Sequence, residues 1–400
     1  MLHDLKILDF TTLLPGPYAT LMLADMGAQV IKISSPRRRD LVLEYEPFIE
    51  GTDLSANEAW LGRGKRNIFL DLKHPKAPSI VKKLILDCDI VIEQFRPGVM
   101  ERLGLGYEAL RAVNPRIIYC SLTGYGQTGP MSRRAGHDCN YMARSGNLSM
   151  AGFAATGPAP TNMQIADICC GSMNSVIGIL AAVHHRDLTG EGEYIDVAML
   201  DGLIPLTGMD GVRCLTTGQE TGREEGRLGG GSLYGYYETG DGRYLSVGSL
   251  EPRFWESFCG AIGCPDLAGG GPMPANVREA REKVAGVIRS KTLGQWKEIF
   301  RDLDCCVEPV SSLKEALEED EQVRERGMVW DLPLEGREDL RARQPGFPIR
   351  FLNRPVRGKE AGAPLGAHTR QVLEEYGFDF EALKEEGVLG LGQQRPLPGK

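Results

Sequence analysis

Residues 5–33 decide the fold, and they read LKILDFTTLLPGPYATLMLADMGAQVIKI. The short apolar run at 5–10 predicts a β-strand, and the segment from about residue 18 to residue 26 predicts a helix that Gly27 caps. Residues 29–33, QVIKI, predict the next strand. Because a helical crossover joins two parallel strands, this strand–helix–strand unit predicts a parallel sheet.

The same alternation continues through the first third of the chain. Strands are predicted at 67–72, 89–93 and 116–122, and helices at 78–87 and 107–112 lie between them. Strands that alternate with helices in this way are typical of α/β domains. We therefore predict an α/β fold with a doubly wound parallel sheet.

The second half of the chain predicts a different unit. A long apolar helix is predicted to begin near Asp167, and residues 207–232 are rich in glycine and charge, which predicts an extended linker. A hairpin that turns at Asp241-Gly242 follows. Helices are then predicted near 252–262, 276–290 and 292–302. Beyond about residue 325 the chain is rich in proline, and we predict irregular structure there.

Composition excludes several classes of protein. The 400 residues carry 46 Lys and Arg against 54 Asp and Glu, a net charge of −8, which argues against general nucleic-acid binding. The ten cysteines form no CxxC pair, so we expect reduced thiols. No signal peptide and no membrane span of about 18 apolar residues is predicted. We expect a cytoplasmic protein.

One glycine motif resembles a dinucleotide site without its context. Gly124, Gly126 and Gly129 fit GxGxxG after a predicted strand. However, Pro130 follows at once, no helix opens there, and no acidic residue ends a strand about twenty residues later. These departures argue against a nicotinamide or flavin site.

Two polar positions are candidates for chemistry. His137 and Asp138 lie just beyond a predicted strand, where α/β folds bind ligands. His137 is either a structural histidine or an acid–base group that Asp138 orients. Asp167 is either an acidic residue favoured at a helix start, or a desolvated carboxylate suited to proton transfer or nucleophilic attack.

Basic residues follow the predicted strands or lie near their ends. They are Arg37, Arg38, Arg39, Arg63, Lys65, Arg66, Arg96 and Arg102. Such clusters are either solvated faces or a site for one polyphosphate group.

The chain resembles the family III CoA-transferase and α-methylacyl-CoA racemase superfamily along almost its whole length. The motifs that carry the resemblance are LLPGPYATLMLADMGAQVIKI, NIFLDLK, VIEQFRPGVMERLGLG, SLTGYGQTGP, AGHDCNY, TGEGEYIDVAMLDG and CVEPV. The resemblance implies a Rossmann-like large domain and a smaller α+β domain, joined by long linkers in an interlocked homodimer. The implied division is a CoA-binding, catalytic large domain at 1–200, a linker at 201–232, a small domain at 233–312, and a return segment at 313–400 that completes the large domain.

The resemblance implies one of two reactions. In the racemase reading, which the AGHDxNY context favours, His137 and Asp167 exchange the α-proton of a 2-methylacyl-CoA, and Asp138 and Glu251 support them. In the alternative, Asp167 is the nucleophile of a family III CoA-transferase. A catalytically idle CoA-binding or scaffold protein is a third reading, which the intact His137 and Asp167 argue against.

The resemblance also implies a CoA site and no tightly bound cofactor or metal, with coenzyme A as part of the substrate. The CoA-contacting positions are Leu70, Asp71, Leu72, Lys73, Gln94, Phe95, Arg96, Arg102, Gly136 and Tyr141. No nucleic acid or membrane partner is implied. Some features depart from the racemase pattern, and one is typical of certain transferases. They are Ser35 in place of an arginine, Ala166 before Asp167, Ile168-Cys169-Cys170 after it, and a possible mobile loop at Gly229-Gly230-Gly231.

Overall fold

A computed structural model of the chain describes residues 1–390, which form two compact units. The first unit combines residues 1–142, 162–204 and 321–390, and the second combines 143–161 with 205–320. Residues 143–161, which lie within the predicted large domain, therefore pack with the second unit.

A six-stranded parallel sheet organises the first unit. Its strands are β1 (Lys6–Asp9), β2 (Gln29–Ser34), β3 (Lys65–Phe69), β4 (Ile90–Glu93), β5 (Ile118–Thr123) and β6 (Tyr194–Ala198). They lie in the order β3-β2-β1-β4-β5-β6, the doubly wound order of Rossmann-like folds. The α/β prediction is confirmed, because the buried aliphatic side chains of each strand face helices on both sides.

Helices cover both faces of this sheet. They are α1 (Pro15–Asp25), α2 (Ala56–Leu61), α3 (Ala77–Ile85), α4 (Val99–Arg102), α5 (Tyr107–Arg111), α6 (Asp138–Arg144, which ends in the second unit), α8 (Asn174–Thr189), α9 (Met199–Leu203), α14 (Glu321–Glu325), α15 (Thr369–Glu375) and α16 (Phe380–Glu385). A π-helix (Ile165–Met173) leads directly into α8. One core cluster lies on the α3 side of the sheet and a second lies on the side of α1 and α8.

One helical stretch, Ile165–Thr189, is long and apolar enough by length and composition to cross a membrane. Within the first unit, its residues Val176, Ile179 and Ala182 are buried in the core on the α1 side of the sheet. The apolar character that passes the membrane test is therefore also the character that a core helix needs.

The second unit is built around a three-stranded antiparallel sheet. Its strands are β7 (Gly235–Glu238), β8 (Tyr244–Val247) and β9 (Val307–Pro309). Its helices are α7 (Asn147–Met150), α10 (Gly208–Thr217), α11 (Pro252–Ala261), α12 (Val277–Ile288) and α13 (Leu293–Phe300), with shorter 3₁₀ and π turns at Pro205–Thr207, Pro265–Gly270 and Glu315–Glu319. The hairpin predicted at Asp241-Gly242 is confirmed, and Gly242 has the positive φ that this turn requires.

Two segments differ from the sequence expectation. The linker predicted at 201–232 contains α10, because apolar side chains recur at helical spacing among its charged residues. The irregular segment predicted after residue 325 contains an antiparallel hairpin, β10 (Val329–Leu334) and β11 (Arg337–Pro345). Pro333 is tolerated there because a strand of a two-stranded sheet has one unpaired edge.

A buried charge network lies at the carboxyl end of β1. Asp9 is fully buried, and its carboxylate lies 3.9 Å from the Lys32 Nζ and 3.8 Å from the Lys65 Nζ. Burial alone would raise the pKa of Asp9, but the two lysines and the hydroxyls of Thr11 and Thr20 outweigh it and hold the pKa below its ordinary value. Asp9 therefore stays ionised and compensates cations that are themselves buried.

Removing this one charge tests the network. Asp9→Asn keeps the shape of the side chain but leaves two buried lysines without a counter-charge, so the free energy of unfolding should fall by about 3–5 kcal/mol. Urea denaturation followed by circular dichroism measures the change. Asp331→Asn is the matched control, because Asp331 and Arg341 form a half-exposed pair worth about 0–1 kcal/mol. Equal effects of the two substitutions would contradict the role given to Asp9.

Candidate active site

The sheet order creates a crevice between the carboxyl ends of β1 and β4. The chain leaves β1 toward one side of the sheet and β4 toward the other, which is where open α/β sheets bind ligands. Gln94 directly follows β4, and its Oε1 accepts a hydrogen bond of 3.2 Å from the N–H of Gly16 in the first turn of α1. The predicted CoA-contacting residue Gln94 thus lies at this crevice.

Asp167 lies in the first turn of the π-helix, not of an α-helix as predicted. Its backbone N–H donates a hydrogen bond of 3.1 Å to the Oδ2 of Asp138, which begins α6. The two predicted site residues are therefore joined directly, although 29 residues separate them. A π-helix is rare and is frequently found at functional sites, so the local geometry itself marks this segment.

The surroundings of Asp167 tune its acidity. Partial burial and, to a lesser extent, the negative charge of Asp138 raise the pKa of its carboxyl group, His137 opposes them, and the net pKa is about 6. The carboxyl group is therefore mostly ionised at pH 7 but binds a proton far more readily than an ordinary aspartate. Such a group can take and return protons near neutral pH.

His137 directly precedes α6, and its side chain is exposed. Its backbone N–H donates to the Oδ1 of Asn140 at 3.0 Å, which fixes the turn that enters α6. Because Asp138 accepts a hydrogen bond from the N–H of Asp167 and His137 directly precedes Asp138, the three residues lie together, and their catalytic roles stay a prediction. An exposed imidazole can exchange protons with solvent.

Tyr141 packs the loop behind this cluster. Its O–H donates to the carbonyl oxygen of Gly136 at 2.6 Å, and its ring lies against Gly124 and Gly136. A Cβ atom at either glycine would clash with the ring, which explains both glycines without a dinucleotide. No helix follows Gly129 until α6, in agreement with the argument against a nicotinamide or flavin site.

The other predicted CoA positions divide into buried and exposed groups. Leu70 and Asp71 are buried, and Leu72 is half-buried. The Oδ2 of Asp71 lies 2.7 Å from the Nε of Arg37, and Lys73 is exposed. Asp71 therefore holds a cation beside Lys73 at the end of β3.

Phe95, Arg96 and Arg102 follow β4. The N–H of Phe95 donates to the Oε2 of Glu93 at 2.7 Å, so a buried carboxylate shapes the turn. Burial raises the pKa of Glu93 more than the hydrogen bonds from Ser121 and Phe95 lower it, and the net pKa is about 7. Arg96 and Arg102 are exposed, and within residues 1–390 neither forms an ion pair.

Two of the predicted basic residues lie elsewhere. Arg63 is buried, and its Nη2 lies 2.7 Å from the Oδ2 of Asp25. Lys65 is buried and donates to the carbonyl oxygen of Pro17 at 2.7 Å. Neither the solvated-face nor the polyphosphate interpretation holds for these two side chains, because both are buried and bonded to groups of the core.

Glu251 lies in the second unit, where it precedes α11 with an exposed side chain. The Gly229–Gly231 segment also lies there, and the N–H groups of Gly229 and Gly231 both donate to the carbonyl oxygen of Gly226 at 2.9 Å. The supporting role of Glu251 stays a prediction. Among the described residues, no group of three or more His, Cys, Asp or Glu is arranged to hold a metal ion.

Sequence reasoning missed two polar residues beneath the site. Glu93 lies within one of the motifs quoted above but has no signal of its own, and Ser172 lies in none of those motifs. Ser172 is fully buried, and its Oγ lies 2.6 Å from the carbonyl oxygen of Pro15 and 3.1 Å from that of Asp167. A serine five residues after a candidate carboxylate is a signal only if a π-helix is already expected there.

Comparison with known proteins gives the family. The family model described as CoA-transferase family III matches residues 2–369. The chain is 35% identical over 390 residues to the alpha-methylacyl-CoA racemase of Homo sapiens, covering 96% of this chain and 95% of that protein. It is 34% identical over 394 residues to the succinate–glutarate CoA-transferase of Agrobacterium fabrum, covering 94% and 95%.

A solved structure agrees with these relatives. The crystal structure of a CAIB/BAIF family protein from Brucella suis superposes with a TM-score of 0.80 at 27% identity, covering 94% of this chain and 99% of that one. Racemases and transferases both occur among the relatives at similar identity, so the family is established at the level of acyl-CoA enzymes. The chain belongs to CoA-transferase family III.

Proposed function

We propose that this enzyme racemises 2-methylacyl-CoA thioesters by proton transfer at the α-carbon. The observation that carries the proposal is the joined cluster of His137, Asp138 and Asp167, in which burial raises the pKa of Asp167 to about 6. A carboxylate that binds a proton near neutral pH, with a histidine beside it as a second acid–base group, is suited to the removal and return of a weakly acidic proton. The similarity to a racemase supports the same reading.

At the start of either direction, one member of the pair of His137 and Asp167 carries a proton and the other does not. The carboxylate of Asp167 takes the α-proton, the C–H bonding electrons move toward the thioester oxygen, and an enolate forms. Protonated His137 then donates its proton to the opposite face of the α-carbon, which gives the other stereoisomer. In the reverse direction neutral His137 is the base and protonated Asp167 is the acid. Asp138 holds the π-helix N–H and so keeps the Asp167 backbone in place.

Coenzyme A is proposed to lie along the carboxyl edge of the sheet. Arg96 and Arg102 are exposed cations beyond β4, and Lys73 is an exposed cation beyond β3. Cations at this edge suit the phosphates of a nucleotide-containing thioester. Gln94 and the backbone around Gly136 lie between those cations and the acid–base pair in the proposed arrangement.

CoA transfer is the second candidate, favoured by the 34% identity to a succinate–glutarate CoA-transferase. In that reaction the Asp167 carboxylate attacks the thioester carbonyl, the C–S bond breaks, and CoA leaves as a thiolate from an acyl–aspartyl anhydride. The thiolate then attacks the aspartyl carbonyl, which releases the first acid and leaves CoA as a thioester on Asp167. A second acid takes up CoA by the reverse steps. His137 has no proton to transfer to carbon in this scheme.

One substitution tests the shared dependence on Asp167, and a second separates the candidates. Asp167→Asn should abolish both reactions because it removes the base or nucleophile. His137→Ala should lower epimerisation of a 2-methylacyl-CoA by about 100-fold or more, since one direction loses its acid and the other its base. Chiral chromatography of the thioester measures epimerisation, and His184→Ala, at an exposed histidine of α8 outside the pair, is the control. Survival of most activity in His137→Ala would contradict the racemase proposal.

The pH dependence provides an independent test. In the direction in which Asp167 is the base, its carboxylate must be ionised, so kcat/KM should rise with pH through an acid limb near pH 6. Asp138→Asn removes a negative charge that raises the pKa of Asp167, so it should move this limb to lower pH. Initial rates between about pH 4.5 and 8 measure both profiles. A wild-type limb near pH 4, the ordinary aspartate range, would contradict the account.

We also propose a cytoplasmic homodimer whose chains interlock. Ten unpaired cysteines support a reducing location. Helix α10 supports association, because Met209, Val212 and Leu215 are 70%, 65% and 89% exposed at helical spacing. An apolar stripe of this kind on a surface helix marks a contact with another chain.

A single charge on this stripe tests the dimer. Leu215→Glu should raise the dissociation constant of the dimer by about tenfold or more, because it buries a carboxylate in the proposed interface. Analytical ultracentrifugation over a concentration series measures this change. Leu86→Glu, at an isolated exposed leucine, should leave the constant unchanged. A wild-type protein that sediments as a monomer at all concentrations would overturn the dimer proposal.

A further inference from the structure

The strained loop, residues 11–17, comprises the end of the connection from β1 and the first three residues of α1, and several hydrogen bonds hold it. Leu13 has a φ of 61°, which a leucine rarely adopts, and such strain persists only where the surroundings impose it. The N–H of Leu13 donates to the Oδ2 of Asp40 at 2.8 Å, and the N–H of Thr11 donates to the Oδ1 of Asp9 at 2.7 Å. The loop is therefore fixed in a conformation that it would not adopt alone.

Ser172 ties this loop to the segment that carries Asp167. Its hydroxyl is fully buried and has one hydrogen, with the carbonyl oxygen of Pro15 at 2.6 Å and that of Asp167 at 3.1 Å. The shorter contact is the main hydrogen bond, and the longer one is a second branch. The residue after Pro15, Gly16, donates to Gln94 across the crevice.

We propose that Ser172 is a positioning residue whose hydroxyl locks the π-turn of Asp167 to the strained loop, so that Asp167 and Gln94 keep one fixed geometry. The inference rests on the proposed function in so far as it concerns catalysis. Ser172 itself is buried and reaches neither solvent nor the proposed thioester. Its effect on the reaction passes through the backbone of Asp167 and through Pro15.

Loss of the Ser172 hydroxyl affects both segments that it joins, the strained loop and the π-helix. Replacing Ser172 by alanine leaves the buried carbonyl oxygen of Pro15 without this donor, and a buried acceptor that loses its donor is costly. The strained loop keeps its hydrogen bonds to Asp9 and Asp40 but loses the one to Ser172, so it relaxes more readily toward an ordinary φ at Leu13. The π-turn loses the hydroxyl that bridges it. Both segments should open more often, and the carboxylate of Asp167 should lose its fixed position.

Hydrogen exchange tests the coupling without any substrate. In Ser172→Ala, the amide hydrogens of residues 11–17 and of the π-helix Ile165–Met173 should both exchange several-fold faster, as measured by mass spectrometry of peptides. Ser175→Ala is the matched control, because Ser175 is also fully buried in the same helical stretch but donates back to the carbonyl oxygen of Gly171 at 2.8 Å. Its substitution should leave the exchange of residues 11–17 unchanged.

The epimerisation rate tests the positioning role. Ser172→Ala should lower kcat by about 10- to 100-fold, since a displaced carboxylate meets the α-proton less often, whereas Ser175→Ala should stay within about twofold of wild type. The acid limb of the rate should also shift in Ser172→Ala, because the burial that raises the pKa of Asp167 changes with its position. A residue of structural importance only would lower the amount of folded enzyme without shifting this limb.

The outcomes are separable. Unchanged exchange at residues 11–17 in Ser172→Ala, or a kcat equal to that of Ser175→Ala, would overturn the inference. If Ser172→Ala does not fold, Ser172→Cys, which keeps a similar shape but donates weakly, should show the same effects to a smaller degree, and wild-type behaviour in it would overturn the inference. Failure of wild-type protein to epimerise any 2-methylacyl-CoA would contradict the proposed function, while the exchange experiment would still decide the coupling.

Discussion

The buried carboxylate of Asp9 is the constraint on which the candidate site depends. It compensates Lys32 and Lys65, and it accepts hydrogen bonds from Thr11 in the loop after β1 and from Thr20 in the middle of α1. The loop in turn presents Gly16 to Gln94 and Pro15 to Ser172. The position of Asp167 therefore depends on a charge that lies entirely within the core.

The same arrangement explains why one family supports two reactions. A half-buried carboxylate whose pKa is about 6 can accept a proton from carbon, and it can equally attack a thioester carbonyl. The proposed proton transfer needs a second acid–base group near the first. We propose that His137 supplies that group, and for this reason the proposal favours proton transfer.

Periodicity and short-range signals predicted much of the fold. A parallel sheet was predicted from the apolar runs before residue 124 and the crossover helices between them. The hairpin was predicted from Asp241-Gly242. Both predictions succeed because these signals are local. The juxtaposition of Asp138 and Asp167 followed from the family resemblance and could not be derived from spacing, since the bond between them spans 29 residues.

Other features depend on tertiary context that a sequence does not display. The π-helix around Asp167 reads as an ordinary helix, and Arg63 and Lys65 read as surface cations until their partners Asp25 and Asp9 are placed beside them. The hairpin of β10 and β11 was obscured by proline, whose cost disappears on an unpaired strand edge. Ser172 carries no motif, and its importance is visible only from its two carbonyl partners.

The central claim is that Asp167 and His137 exchange a proton with the α-carbon while the thioester bond stays intact. Incubation of one stereoisomer of a 2-methylacyl-CoA with the protein in D₂O, without a second acid, tests this claim by mass spectrometry. The account predicts deuterium at the α-carbon of a thioester that still carries CoA. Absence of α-deuterium, together with CoA or an acyl group bound to the peptide that contains Asp167, would contradict it and assign the enzyme to CoA transfer.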